Sequence, residues 1–340
     1  MIKPQHSPRF DIDTQRGEFL SYLEEYGYAV VANVADAQAV EKGKNLLWDF
    51  LQNLEGNEIR HDDVATWEDN WLPSPQNGIL AGFGFGQCDF MWHLRLLPKI
   101  KSAFAAIWET DDLIVSFDGG NMFRPWKYNP SWLTTGGWFH VDQNHYRPHR
   151  QGKVCVQGLV TLLDADETTG GLVVIPGSHR HHKEVCDRCP QAKGIGDFIP
   201  LEKSDPLLAD GSVLVCAKAG DLIVWDSRTV HCNTPALTAE TDIANNVKSE
   251  ADSSGTKWEL IRQVGYVCMT PASFATQEVL DSRKMSFQDG HSNSHWPHAC
   301  VISGAGIPGV SGIDPESASK EQRDLVGYRD ETRPIRCVIQ

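Results

Sequence analysis

The sequence predicts a mainly β fold, an antiparallel sandwich or barrel with helices added on its N-terminal side. Three observations carry this. From residue 112 onward the chain consists of short runs of Val, Ile, Leu and aromatics, each bounded by Gly, Pro, Asn or Asp. These runs are not separated by helical stretches, which argues against a doubly wound parallel sheet. Before residue 112 the apolar residues recur at helical spacing instead.

Taken in order, "DTQRGEFLSYLEEYGYAVV" opens with Asp13 as a predicted cap and sets Phe19, Leu20, Leu23 and Tyr26 on one face. Gly27 ends that helix, and "YAVVANV" reads as a short strand. A second helix, "DAQAVEKGKNLLWDFLQNL", is capped by Asp36. Residues 56–90 are turn-rich and contain "GFGFG", whose glycines neither precede Lys-Ser/Thr nor follow a clear strand, so no phosphate loop is expected. "LPKIKSAFAAIWE" is a third helix. The predicted strands lie in "DLIVSFDGGNMFRP", "VCVQGLVTLLDAD", "GGLVVIPGS", "GDLIVWDSRTVHCN" and "WELIRQVGYVCMTP". Residues 236–256 are polar and read as a surface insert. The expected organisation is one domain over 1–340: a helical part at about 12–110, a β core at about 112–275 and a C-terminal extension at 276–340. No internal repeat is apparent.

The chain has 340 residues, with hydrophobic content of 41% and charged content of 22%, as in ordinary soluble proteins. Its 31 basic and 45 acidic residues give a formal charge of −14. With no Lys/Arg-rich run, nucleic acid and anionic membranes are poor partners. No apolar stretch approaches the ~18 residues of a membrane span, and "MIKPQHSPRFDID" lacks a signal's apolar core, so a cytoplasmic location is expected. Nine cysteines without a signal read as thiols in a reducing compartment. Cys186 and Cys189 form a lone C-x-x-C, with no second pair to complete a zinc site. The terminal "CVIQ" has the form of a prenylation box, but only Arg333 and Arg336 precede it, so no lipid anchor is expected. Nothing in the sequence signals an oligomeric state.

The chemistry is carried by "WFHVDQNHY". His140 and Asp142 stand two apart in an extended segment, so their side chains share a face. In a chain with 13 histidines this pair alone decides nothing. Its partner is His231, at the end of the predicted strand in "AGDLIVWDSRTVHCNTPA". Two imidazoles and a carboxylate on one side of a metal form the facial triad of non-haem Fe(II) oxygenases. Three coordination sites stay open, two for a chelating 2-oxo acid and one for dioxygen. Arg262, on the strand of "ELIRQVGYVCMTP", suits the distal carboxylate of 2-oxoglutarate.

"HVD", "TTGGLVVIPGSHR", "GDLIVWDSRTVHCN" and "RQVGYVCM", in this order, resemble the phytanoyl-CoA dioxygenase family over roughly residues 20 to 275. The resemblance implies a double-stranded β-helix (jelly-roll, cupin-like) core and the co-substrates 2-oxoglutarate and O2. It implies His140, Asp142 and His231 as ligands of Fe(II), with Arg262 on the co-substrate's carboxylate. Asn233 stands where the family often has Ser or Thr, and Met122 where relatives line the 2-oxoglutarate pocket. The polar insert makes the interval from His231 to Arg262 longer than usual, which puts Arg262 in question. A carboxylate ligand points to hydroxylation, desaturation or oxidative ring closure rather than halogenation.

The substrate is expected to be a small molecule. Phytanoyl-CoA itself is not expected, since there is no terminal "SKL" and no basic surface for a nucleotide carrier. The family has members in natural-product pathways, and the algal enzymes that close the kainoid ring are similar in layout. They make an amino-acid substrate a candidate, with Arg124 and Arg147 as carboxylate anchors. Arg228 is a third candidate for an anionic substrate, and salt bridges explain all three arginines equally well. Trp138, Phe139 and Trp225 read as packing around the ligands. His145, His149 and His179 are expected on loops near the mouth, His181 and His182 in solvent, and His295 and His298 on a surface loop. Two other classes stay open: a jelly-roll protein that binds without redox chemistry, and a cupin-type metal isomerase or hydrolase.

Overall fold

The computed structural model of the protein describes residues 2–189, 192–194, 196–209, 211–244, 257–303 and 311–329. Two large, mostly antiparallel sheets dominate its β half, beside two small two-stranded ones. The first has six strands, in the order Lys3–Gln5, Val213–Val215, Gly171–Val174, His231–Thr234, His140–Val141 and Ile199–Pro200. The second has seven: Arg9–Phe10, Tyr28–Val31, Leu222–Asp226, Val156–Thr161, Arg262–Tyr266, Gly120–Phe123 and Ile79–Leu80. Consecutive strands such as Leu222–Asp226 and His231–Thr234 lie in different sheets, the crossing pattern of a jelly roll. The sheets share no strand, so this is an open sandwich and not a closed barrel. The N-terminal residues contribute two short edge strands, paired in parallel, that their sequence does not announce.

Side-chain alternation decides what each face buries. In Leu222–Asp226, Ile223 and Trp225 point between the sheets and pack with Tyr28, Val30, Leu159 and Val264. Leu222 and Val224 point outward, where Phe19, Leu23, Leu47, Phe90 and Phe104 of the helices cover them. Burial on both faces is why this strand reads as an unbroken apolar run.

The N-terminal helices are Arg16–Tyr26, Ala37–Asn53, Asp89–Arg95 and Pro98–Trp108. Asp36 caps the second as expected, accepting from the Ala39 N–H at 2.8 Å. Asp13 does not cap the first. That helix begins later, and Asp13 instead donates its N–H to Asp11 Oδ1 within a turn. Gly27 ends it at φ 77, packed so closely that a Cβ would meet His179 and Thr229. Asp89–Arg95 lies at the end of the stretch read as turn-rich. Phe90, Met91, Trp92 and Leu94 are all buried, and only Asp89 and His93 mark its outer face, too few in two turns to show a period.

The C-terminal extension packs back on the sandwich through the helices Gln277–Gln288 and Lys320–Val326. Arg283, fully buried, donates to the carbonyls of Val115, Pro297, Leu325 and Val326 at 2.6–2.9 Å. The polar insert begins with the short helix Ala239–Ala244; residues 245–256 lie outside the described residues, as do Arg333, Arg336 and the terminal "CVIQ". The eight described cysteines are free thiols. Among the described residues no helix is long and apolar enough to cross a membrane.

Candidate active site

His140 and His231 are direct cross-strand partners, with ring centroids 4.2 Å apart. His140 Nδ1 lies 3.1 Å from the Trp138 carbonyl and His231 Nδ1 2.9 Å from the Thr229 carbonyl. A carbonyl can only accept, so each Nδ1 carries a proton and Nε2 is the nitrogen left to a metal once the ring is neutral. Both Nε2 atoms face Asp142 Oδ2, at 3.5 Å from His140 and 3.2 Å from His231. An ion holding cis ligands at about 2.1 Å separates them by about 3 Å, so these three groups fit one divalent metal. The three ligand atoms lie within 4.8 Å of one another.

Asp142 is fixed from two sides. Its N–H donates to the Ser227 carbonyl at 2.9 Å, and Gln157 Nε2 donates to its Oδ2 at 2.9 Å. Burial alone would push its carboxyl pKa up, but the His140, His295 and His231 imidazoles hold it well below the usual carboxylate range. Burial, reinforced by His140, lowers the His231 pKa and favours the neutral ring that a metal needs.

The three ligands line a cavity of about 220 Å³. Trp138 and Phe198 stack on His140 with centroids at 5.0 and 4.5 Å, and Trp225 lies 5.4 Å from His231. Phe198 had no sequence signal, being a single aromatic in a loop. Phe139 packs partly buried beneath this wall.

Arg262 is fully enclosed between the sheets. Its Nε donates to Asn121 Oδ1 at 2.6 Å, but one terminal nitrogen has no hydrogen-bond partner. Among the described residues no carboxylate pairs with it, and burial lowers its pKa to about 10. Gly171 makes the space, since a Cβ there would come within 2.8 Å of the guanidinium. An enclosed, unpaired cation is costly, and a dicarboxylate co-substrate would satisfy it. Arg283 offers the contrast, equally buried but saturated by four carbonyls. Asn233 shares the inward face of its strand with His231 and lines the cavity, hydrogen-bonded to Tyr266. Burial raises the Tyr266 pKa to about 12.

Other expected residues lie elsewhere. Met122 points away from the cavity into the helical core, because register and alternation place Asn121 on the face shared with Arg262 and Val264. Arg124 is stacked on Trp132 at 4.4 Å and donates to the Trp67 carbonyl. Arg147 is exposed and paired with Asp197, and Arg228 is held bidentately by Asp226. None of these three arginines lines the cavity. His182 is buried, not solvated, with Nε2 donating to the Gln143 carbonyl at 2.6 Å. His295, expected on a surface loop, lines the cavity, as does Asp118.

Residues 23–241 match the model of the phytanoyl-CoA dioxygenase (PhyH) family. The chain belongs to that family. It is therefore, by class, an iron- and 2-oxoglutarate-dependent dioxygenase, and the triad of this PhyH protein is a site that can hold the iron. Arg262 lies beyond the matched span. A curated relative, "Ava biosynthesis cluster protein O" of Aspergillus versicolor, is 26% identical over 84% of this chain and 87% of its own. Two solved structures show the same fold. One is GlcNAc Inducible Gene 2 of Candida albicans, with TM-score 0.61 and 13% identity over 98% of this chain and 83% of that one. The other is the epimerase SnoN in complex with Fe3+, alpha ketoglutarate and nogalamycin RO, with TM-score 0.50 and 17% identity over 77% and 85%.

Proposed function

We propose that this PhyH protein oxidises a small natural-product substrate by hydrogen abstraction, the whole chain acting as one catalytic domain. His140, Asp142 and His231 hold Fe(II), and Arg262 takes the distal carboxylate of 2-oxoglutarate, with Asn233 and Tyr266 alongside. The observation that carries this is the enclosed Arg262 guanidinium with an unpartnered nitrogen, on the same side of its sheet as the triad. Bound iron, 2-oxoglutarate and O2 together supply the oxidant that removes the hydrogen.

The chain's own contribution is orientation and exclusion of water. Gln157 and the Ser227 carbonyl fix Asp142, two backbone carbonyls fix the imidazole orientations, and Trp138, Phe198 and Trp225 would flank a bound metal. The relative from a biosynthesis cluster supports a natural-product role. Kainoid-type ring closure on an amino acid loses its support, because Arg124 and Arg147 stand outside the cavity. A purely binding jelly roll has no use for two imidazoles with both Nε2 atoms turned on one carboxylate oxygen.

Succinate release tests the proposal: it should require Fe(II), 2-oxoglutarate and O2 together, and vanish in Asp142→Ala. Turnover without 2-oxoglutarate would contradict it and favour a cupin-type isomerase or hydrolase.

A further inference from the structure

Once the triad and the Arg262 end are accounted for, the cavity retains two polar side chains without a task, Asp118 and His295. They come from distant parts of the chain. Asp118 lies in the loop between the strands Leu113–Val115 and Gly120–Phe123, and His295 in the C-terminal extension. Specific contacts hold both in place. The Gly119 N–H donates to Asp118 Oδ1 at 2.7 Å, and Arg95 donates to the Asp118 backbone carbonyl at 3.2 Å. The Phe117 carbonyl accepts from the Asn293 N–H at 2.8 Å, which ties the two segments together beside the cavity.

Each side chain is left short of a partner. Among the described residues Asp118 makes no ion pair, and the nearby Arg95 spends its hydrogen bonds on backbone carbonyls. His295 Nε2 is buried without a hydrogen-bond partner. Burial pushes the Asp118 pKa up, and His295, the Gly119 N–H and the Arg95 charge offset this only in part. A carboxylate so placed is unfavourable until a cation meets it. The remaining walls are largely aromatic and apolar, Trp138, Phe198, Trp225, Leu159 and Leu172, and among the described residues no lysine or arginine lines the cavity. Aromatic faces with a carboxylate form a setting that attracts cations and repels anions.

We propose that Asp118 and His295 are the substrate-reading end of this cavity and select a cationic nitrogen (an amine, amidine or guanidine) carried on an apolar body. Asp118 supplies the counter-charge and His295 Nε2 a second hydrogen bond. The inference rests on the reading of the site as an Fe(II)/2-oxoglutarate centre. It also assigns the C-terminal extension a function, since the extension delivers His295.

The test uses the anaerobic protein loaded with Fe(II) and 2-oxoglutarate, and three probes of matched shape: phenethylamine, 2-phenylethanol and phenylacetate. Calorimetry should rank the amine tightest, about tenfold over the alcohol, with the carboxylate weakest. Asp118→Asn should erase the amine's advantage and leave the 2-oxoglutarate charge-transfer band intact. A wild-type protein with no preference for the amine overturns the proposal, as does a preference that survives in Asp118→Asn. If that variant does not fold, the wild-type ranking still decides. Absence of the charge-transfer band would instead remove the underlying reading of the site, so the two failures are distinguishable.

Discussion

His140 and His231 face each other as a register pair between two neighbouring strands, and both direct Nε2 at one oxygen of Asp142. The geometry of the centre is thus set by backbone pairing, and Gln157 adjusts its carboxylate. Its amide donates to Asp142 Oδ2 at 2.9 Å and reaches Ser227 Oγ at 3.3 Å. Gln157→Leu keeps the volume but frees the carboxylate to rotate. It should weaken Fe(II) binding by about 10–100-fold with little change in thermal stability. Competition against a metal-binding dye reads this directly, and unchanged affinity would show that backbone pairing alone suffices.

The Arg262 pocket yields a second expectation. Arg262→Met should raise the KM for 2-oxoglutarate by the loss of a buried charge pair, about 2–5 kcal/mol, with Fe(II) affinity unchanged. Gly171→Ala attacks the same site from the opposite sheet, since its Cβ would press on the guanidinium and its φ of 149 disfavours any other residue. It should raise the same KM while the triad stays intact. If KM is unaffected in both variants, Arg262 is not the carboxylate anchor.

Acid should destabilise the fold through His182. Burial lowers its pKa to about 4, against about 6.5 in an unfolded chain. Between these values the unfolded state holds a proton that the folded state does not. Stability therefore falls as pH drops from about 6.5 to about 4, by up to about 3 kcal/mol. His182→Gln should flatten that slope in urea midpoints measured across the window. An unchanged slope would assign the acid sensitivity to other groups.

Arg283 should prove structural. Removing its guanidinium in Arg283→Met leaves four buried carbonyls without their donor. The expected cost is about 3 kcal/mol or more, with release of the C-terminal extension detectable as faster proteolysis. Proteolysis at the wild-type rate would show that the extension is held by its apolar contacts.

Much of this arrangement was legible in the sequence, for physical reasons. The i, i+2 spacing of His140 and Asp142 shows a shared face, and the apolar run before His231 marks a strand buried on both sides. Asn233 was named only through the family resemblance, and the strand period explains why it shares a face with His231. The period does not place Met122, because choosing between it and Asn121 needs the register of a strand pair, and a shift of one residue inverts the faces. The fates of Arg124, Arg147 and Arg228 depend on Trp132, Asp197 and Asp226, each met through tertiary packing or a local turn. His295 was expected on a surface loop, because only the docking of the extension by Arg283 and Asn293 brings it to the cavity. The helix Asp89–Arg95 was hidden because seven residues are too few to show a helical period.

The most direct test of the central claim is an anaerobic titration of the metal-free protein with Fe(II) and then 2-oxoglutarate, followed by visible absorption. A weak charge-transfer band that needs both additions, is lost in His231→Ala and requires far more 2-oxoglutarate in Arg262→Met is the predicted result. Iron bound with no band on adding 2-oxoglutarate, or a band indifferent to His231, would contradict the account.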